Sequence, residues 1–187
     1  MIKLATCFAA GILVGAGLHA WVDHRAVASQ DKASSAEERV RDLKLELPAV
    51  TRPTNTLVNA VRVGNLLFVS GTGPGKVDGK AVVGRLGNAF SVKQGQAAAR
   101  QVGLNILAVV KAELGSLDRV ERLVKTLGMV HATPDFTQHP QVINGFSDLM
   151  VPVFGDDAGK GTRSAVGMSS LPGGIPVEIE AIFQVRN

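Results

Sequence analysis

Arg163 and Glu178 are the two residues whose surroundings best suit chemistry on a small acidic molecule. Strand alternation over Thr162 to Ser169 places Arg163, Ala165 and Gly167 on one face and Thr162, Ser164, Val166 and Met168 on the other. The same-face neighbours of Arg163 are small, so its guanidinium has room at the floor of a cavity. Its planar fork suits a carboxylate through two parallel hydrogen bonds, which a lysine does not reproduce. The same pattern also fits a surface arginine paired with a local acid. Further on, Glu178 and Glu180 alternate with Val177, Ile179 and Ala181. A carboxylate projecting from a core strand can orient or deprotonate a water, although acids on a solvent-facing sheet are routine. Asn144 shares the polar side of a helix with Gln141 and Asp148 and is a further candidate contact. His131 and His139 flank the loop Thr133-Pro-Asp-Phe-Thr-Gln138 and fit structural roles.

Other chemistries find little support. Cys7 is the only cysteine, so neither an intrachain disulfide nor a cysteine-based zinc site can form. The four histidines lack HExxH or HxH spacing, and no metal is expected. Gly71-Thr-Gly73 departs from GxGxxG, no GxxxxGK[ST] occurs, and these read as turn glycines. No Ser-His-Asp or Cys-His arrangement can be assembled. The formal charge is +4, yet no block of five Lys or Arg appears. Aromatic residues make up 4 %, with no tyrosine. Nucleic acid is therefore a poor partner, lacking both a basic stripe and stacking platforms.

Several elements must position these residues. Met1 to Lys3 is a short positive start, and Leu4 to Val22 carries no formal charge. Ala26-Val27-Ala28 has the small-residue spacing of a signal cleavage site, while the apolar run is also barely long enough to span a bilayer. Residues 1–28 are thus expected to be a signal peptide or a membrane anchor through residues 4–22. Either places the domain on the far side of a membrane, the periplasm being the leading location. Residues 29–35 read as a linker, and residues 36–187 as one domain.

Within that domain, Ser34 or Ser35 opens a capping box for a short helix running to about Leu47. Two runs of β-formers around Gly64-Asn65 predict a hairpin from Val58 to Ser70. Gly75 to Gly84 reads as a second short hairpin or an irregular loop. Ser91 and Gln94 form another capping box, starting a long helix that stops at Gly115. A strand follows from Glu121 to Ala132, a helix from Pro140 to Phe154, and strands over Thr162–Ser169 and Val177–Val185. The fold class is α+β, a mixed sheet covered on one face by two helices.

The segment TRSAVGMSSLPGGIPVEIEAIF (Thr162 to Phe183) resembles the closing motif of the Rid family, also known as YjgF-like or endoribonuclease L-PSP-like. Val69-Ser-Gly71 is similar to that family's early strand end, and Thr133 to Gly155 to its YjgF/chorismate-mutase-like branch. The similarity runs from about Glu38 to Arg186. It implies a chorismate-mutase-like fold, a homotrimer with ligand clefts between subunits, and cofactor-free hydrolysis of amino-acid-derived enamines and imines. By position it implies that Arg163 grips a substrate carboxylate and Glu178 places the attacking water. Ser70 and Gly71 would line the cleft, with Asn144 near it. Ala165 stands where the deaminase branch has a cysteine, and Leu57 where it has a tyrosine. A non-catalytic module binding small carboxylates is the alternative, and an endoribonuclease the weaker one.

Overall fold

A computed structural model describes residues 34–51, 56–77 and 79–186. The expected leader (residues 1–28), with its apolar stretch 4–22, lies outside the described residues, as does most of the expected linker. Among the described residues, no helix is long and apolar enough to cross a membrane.

Helix α1 spans Ala36–Asp42, with a capping box in which Ser35 and Glu38 satisfy each other's backbone amides. It stops short of the expected Leu47 because Leu43 caps it and Lys44 takes a positive φ of 52°. Leu43 consequently leaves the apolar stripe and is exposed. Strands β1 (Ala60–Val63) and β2 (Leu66–Thr72) form the hairpin around Gly64-Asn65, with Val63 opposite Leu66. Two-residue strands β3 (Lys76–Val77) and β4 (Lys80–Ala81) make a separate small hairpin.

Helix α2 spans Val92–Leu114, opened by Ser91 and Gln94 and closed by Gly115 at φ 80°. Strand β5 (Val120–His131), helix α3 (His139–Phe154), strand β6 (Thr162–Met168) and strand β7 (Val177–Val185) complete the domain. The main sheet has the order β1-β2-β7-β5-β6, antiparallel except for the β5–β6 pair. Helix α3 is the crossover that joins those parallel strands, as a parallel pair demands.

Helices α2 and α3 cover one face, and the core lies between them and the sheet. Val102, Ile106 and Val110 of α2 meet Ile143, Phe146 and Met150 of α3 over Ile179, Ala181 and Phe183 of β7, all essentially solvent-free. Small residues set how closely the layers approach. A Cβ on Gly145 would collide with the Gln96 carbonyl of α2, and one on Gly128 would strike Ile143 at 2.5 Å. Among the described residues, no layer covers the opposite face of the sheet. It exposes Val61, Val63, Phe68, Val166 and Met168.

Candidate functional site

Arg163 stands on β6, an edge strand whose residues are nearly all exposed. Its register partner Thr126 is buried, and Gly128 is opposite Ala165. Arg163, Ala165 and Gly167 share one face, as alternation required, and the register makes it the helix-covered one. The room beside them is largely taken. Ala165 packs against the core, and His139 occupies the space next to Gly167, its Nε2 only 2.6 Å from where a Cβ would stand.

The guanidinium is held rather than free. Nη1 donates to Asn144 Oδ1 at 2.8 Å and to Ser147 Oγ at 3.0 Å. Both acceptors come from one face of α3, three residues apart, which is helix-neighbour spacing. One edge of the fork is thereby fixed, and an acidic ligand would meet a preoriented donor set. Ser147 was not legible as a site residue. Its only sequence signal was its i+3 spacing from Asn144. Beside them lies a cavity of about 190 Å³, walled by Thr126, Ser147, Val151, Lys160 and Arg163.

Glu178 lies elsewhere. Val177, Ile179 and Ala181 of β7 are buried against the helices, so Glu178 and Glu180 point to the uncovered face. Pairing between β2 and β7 shifts between Val69 and Thr72, which sets Ser70 and Gly71 in an irregularity of β2. The Glu178 carboxylate lies directly against Gly71, where any Cβ would collide with Oε1. The Ser70 hydroxyl donates to the Val58 carbonyl at 2.7 Å, tying the strand end to the segment before β1. A larger groove, about 620 Å³, borders Gly71 between Pro48–Thr51, the Gly71–Lys76 turn and Gln101 and Asn105 of α2.

The sequence-predicted residues thus fall into two groups. Arg163, Asn144 and Ala165 gather at the β6 edge on the helix side. Glu178 lies two strands away on β7, on the opposite face, against Gly71 of β2, the next strand over, which also carries Ser70. Neither the 190 Å³ cavity nor the 620 Å³ groove is lined by both Arg163 and Glu178. The two histidines are likewise separated by the sheet. His131 alternates onto the uncovered face, while His139 packs on the helix side, edge-on to Phe136 at 5.2 Å. Among the described residues no group of three or more His, Cys, Asp or Glu side chains could hold a metal ion.

Comparison with known proteins places this arrangement. Residues 37–173 match the family model described as "YjgF/chorismate_mutase-like, putative endoribonuclease". The chain belongs to the Rid (YjgF-like) family. Protein TCP17 of Trypanosoma cruzi is 41 % identical over 145 residues, 78 % of this chain and 91 % of that protein. The crystal structure of the Agrobacterium tumefaciens protein Atu1372, of unknown function, matches with a TM-score of 0.72 at 41 % identity, covering 81 % of this chain and 94 % of that one. A Shewanella oneidensis structure titled a putative endoribonuclease matches with a TM-score of 0.76 at 28 % identity, over 81 % of this chain and all of its own. The α+β fold with its mixed sheet is the Rid fold.

In this Rid domain, the Glu178 carboxyl is raised above the usual carboxylate range, by loss of hydration and secondarily by the like charge of Glu180. A carboxyl whose folded pKa is raised binds its proton more tightly in the folded state. Its stabilising contribution is therefore full in acid and lost as pH rises through the raised value. Glu178→Gln should stabilise the protein near neutral pH, and the gain should vanish below about pH 4, where an unfolded glutamate is itself protonated. Thermal melts of both proteins across that range check this, and a gain of equal size in acid would contradict it.

Proposed function

We propose that this Rid protein is an enamine/imine deaminase acting as a homotrimer, with each site completed between two copies. The observation that carries this reading is the separation of Arg163 from Glu178. They sit on opposite faces of one sheet, so a ligand touching both needs Arg163 from one copy and Glu178 from a neighbour. An exposed apolar sheet face beside Glu178 supplies a surface for such a neighbour.

In this reading Arg163 takes the substrate carboxylate through the guanidinium edge left open by Asn144 and Ser147. Holding the ligand there raises the effective concentration of its imine carbon beside Glu178. Glu178 removes a proton from water as the oxygen bonds to the imine carbon and the C=N π pair moves to nitrogen. The nitrogen takes up two protons, one returned by Glu178 and one from the new hydroxyl, whose oxygen closes to C=O as the C–N bond breaks; ammonia leaves and the keto acid remains. No cofactor is called on. The Gly71 backbone lines the Glu178 side, and Ser70 serves it indirectly by anchoring the strand end. The apolar stretch 4–22 would export or anchor the domain outside the cytoplasm, with the periplasm as its location.

A second reading, a non-catalytic module for small carboxylates, is favoured by one observation. Ala165 packs against the core, and Leu57 is exposed without a polar group. The cleft therefore lacks a thiol and a phenol. The endoribonuclease reading finds less support, because the chain has no basic stripe, and aromatic residues for base stacking make up only 4 % of it. Purified protein should sediment as a trimer and accelerate ammonia release from imines generated in situ by an amino-acid oxidase. Decay at the buffer rate, with carboxylates still raising the melting temperature, would leave the binding module instead.

A further inference from the structure

Among the described residues, the buried side-chain polar atoms without a hydrogen-bond partner are Arg85 Nε, His131 Nδ1 and Thr133 Oγ1. All three lie in one place. Leu86 bridges Ala132 in parallel fashion, its amide donating to the His131 carbonyl and its carbonyl accepting from the Thr133 amide, both at 2.9 Å. Leu86 and Ala132 point into the core. Alternation therefore turns Arg85, His131 and Thr133 to the other side. Asp135 lies within reach of the Arg85 charge. Its exposed carboxyl is held below the usual range by the Thr133 hydroxyl, then by its own backbone amide, with the Arg85 charge adding to these. The Thr133 contact nevertheless falls short of good hydrogen-bond geometry.

That side of the sheet is Glu178's side. Met129 is paired with Glu178, and His131 is the next residue of β5 on the same face. His131 and Glu178 are thus diagonal neighbours on adjoining strands, at a spacing of roughly 7–8 Å. Buried donors in folded proteins nearly always find acceptors, and Arg Nε–H can only donate. A carboxylate accepts from Arg85, from Thr133 and from the His131 tautomer protonated on Nδ1. Asp135 stands at the solvent rim and leaves the inner donors to an incoming group.

We propose that Arg85, His131 and Thr133 form a subsite for a second acidic group of the ligand, so that the Glu178 site takes imines of amino acids with acidic side chains. The substrate assignment rests on the deaminase reading above; the subsite itself does not. The ligand's own carboxylate meets Arg163 of the neighbouring copy, its imine carbon lies by Glu178, and its side-chain acid reaches Arg85.

Calorimetric titration of the full-length protein with succinate and with butyrate tests this. Succinate should bind about tenfold tighter, the scale of one added charge-assisted contact. Arg85→Gln should bring the two to parity, and Thr133→Val, which leaves the charge in place, should narrow the gap. Equal binding by the wild type, or a succinate preference that survives both substitutions, would overturn the subsite. So would an assembled structure in which a neighbouring copy's carbonyl oxygens occupy these donors. If no imine yields ammonia while the succinate preference persists, the deaminase reading falls and the subsite stands. If ammonia is released but imines of alanine and aspartate react alike, the substrate assignment falls alone.

Discussion

Arg163→Ala should lower kcat/KM for imine hydrolysis on the order of a hundredfold, while leaving the melting temperature nearly unchanged. The first expectation follows from what the side chain offers. A carboxylate bound by two charge-assisted hydrogen bonds loses both on truncation, each worth about 1.5–3 kcal/mol. The second follows from location. Arg163 is exposed on an edge strand, and its partners Asn144 and Ser147 can turn to water when it goes. Arg163→Lys separates charge from shape, because it keeps the cation and loses the fork, and should fall between wild type and alanine. Asn144→Ala tests positioning. Guanidinium charge stays but its orientation loosens, so KM should rise, with a loss smaller than that of Arg163→Ala. A near-normal kcat/KM in Arg163→Ala would remove Arg163 from the site.

Much of the domain was readable because its signals are local. Two capping boxes, a Gly-Asn hairpin turn, a C-terminal glycine and strict alternation in the last strands each fix an element within a few residues. Those elements stand where the patterns placed them. The end of α1 was misjudged, since nothing in Leu43-Lys-Leu-Glu-Leu47 announces a left-handed Lys44. Arg163 and Glu178 could each be singled out, but their relation could not. Alternation says which residues share a face of one strand. It does not say which face of a five-stranded sheet the helices will cover, because that depends on how distant strands align. The register of β5 with β6 and with β7 puts the two residues on opposite sides. The Arg85, His131 and Thr133 cluster was invisible for the same reason. It is created by a single bridge between Leu86 and Ala132, far apart in the chain.

The largest stability effect should come from Gly145→Ala, a substitution that improves intrinsic helix propensity by about 1 kcal/mol. Gly145 lies inside α3 where it crosses α2, and its missing side chain is what permits the contact. A Cβ there would collide with the Gln96 carbonyl oxygen and crowd the rest of that peptide. The obstacle is helical backbone, so no rotamer change relieves it and the helices must separate. Gln96 also donates to the Gln141 carbonyl at 3.0 Å, a bridge that separation would stretch. Overpacking of this kind costs about 3 kcal/mol or more, well beyond the propensity gain. The melting temperature should fall on the order of 10 °C. Gly115→Ala is the fitting control. Gly115 needs its left-handed conformation, φ 80°, but has open space around it, so only backbone strain of about 1 kcal/mol is expected. Urea denaturation midpoints should rank wild type above Gly115→Ala and Gly115→Ala well above Gly145→Ala. Equal losses would mean that the α2–α3 crossing is not set by backbone contact at Gly145.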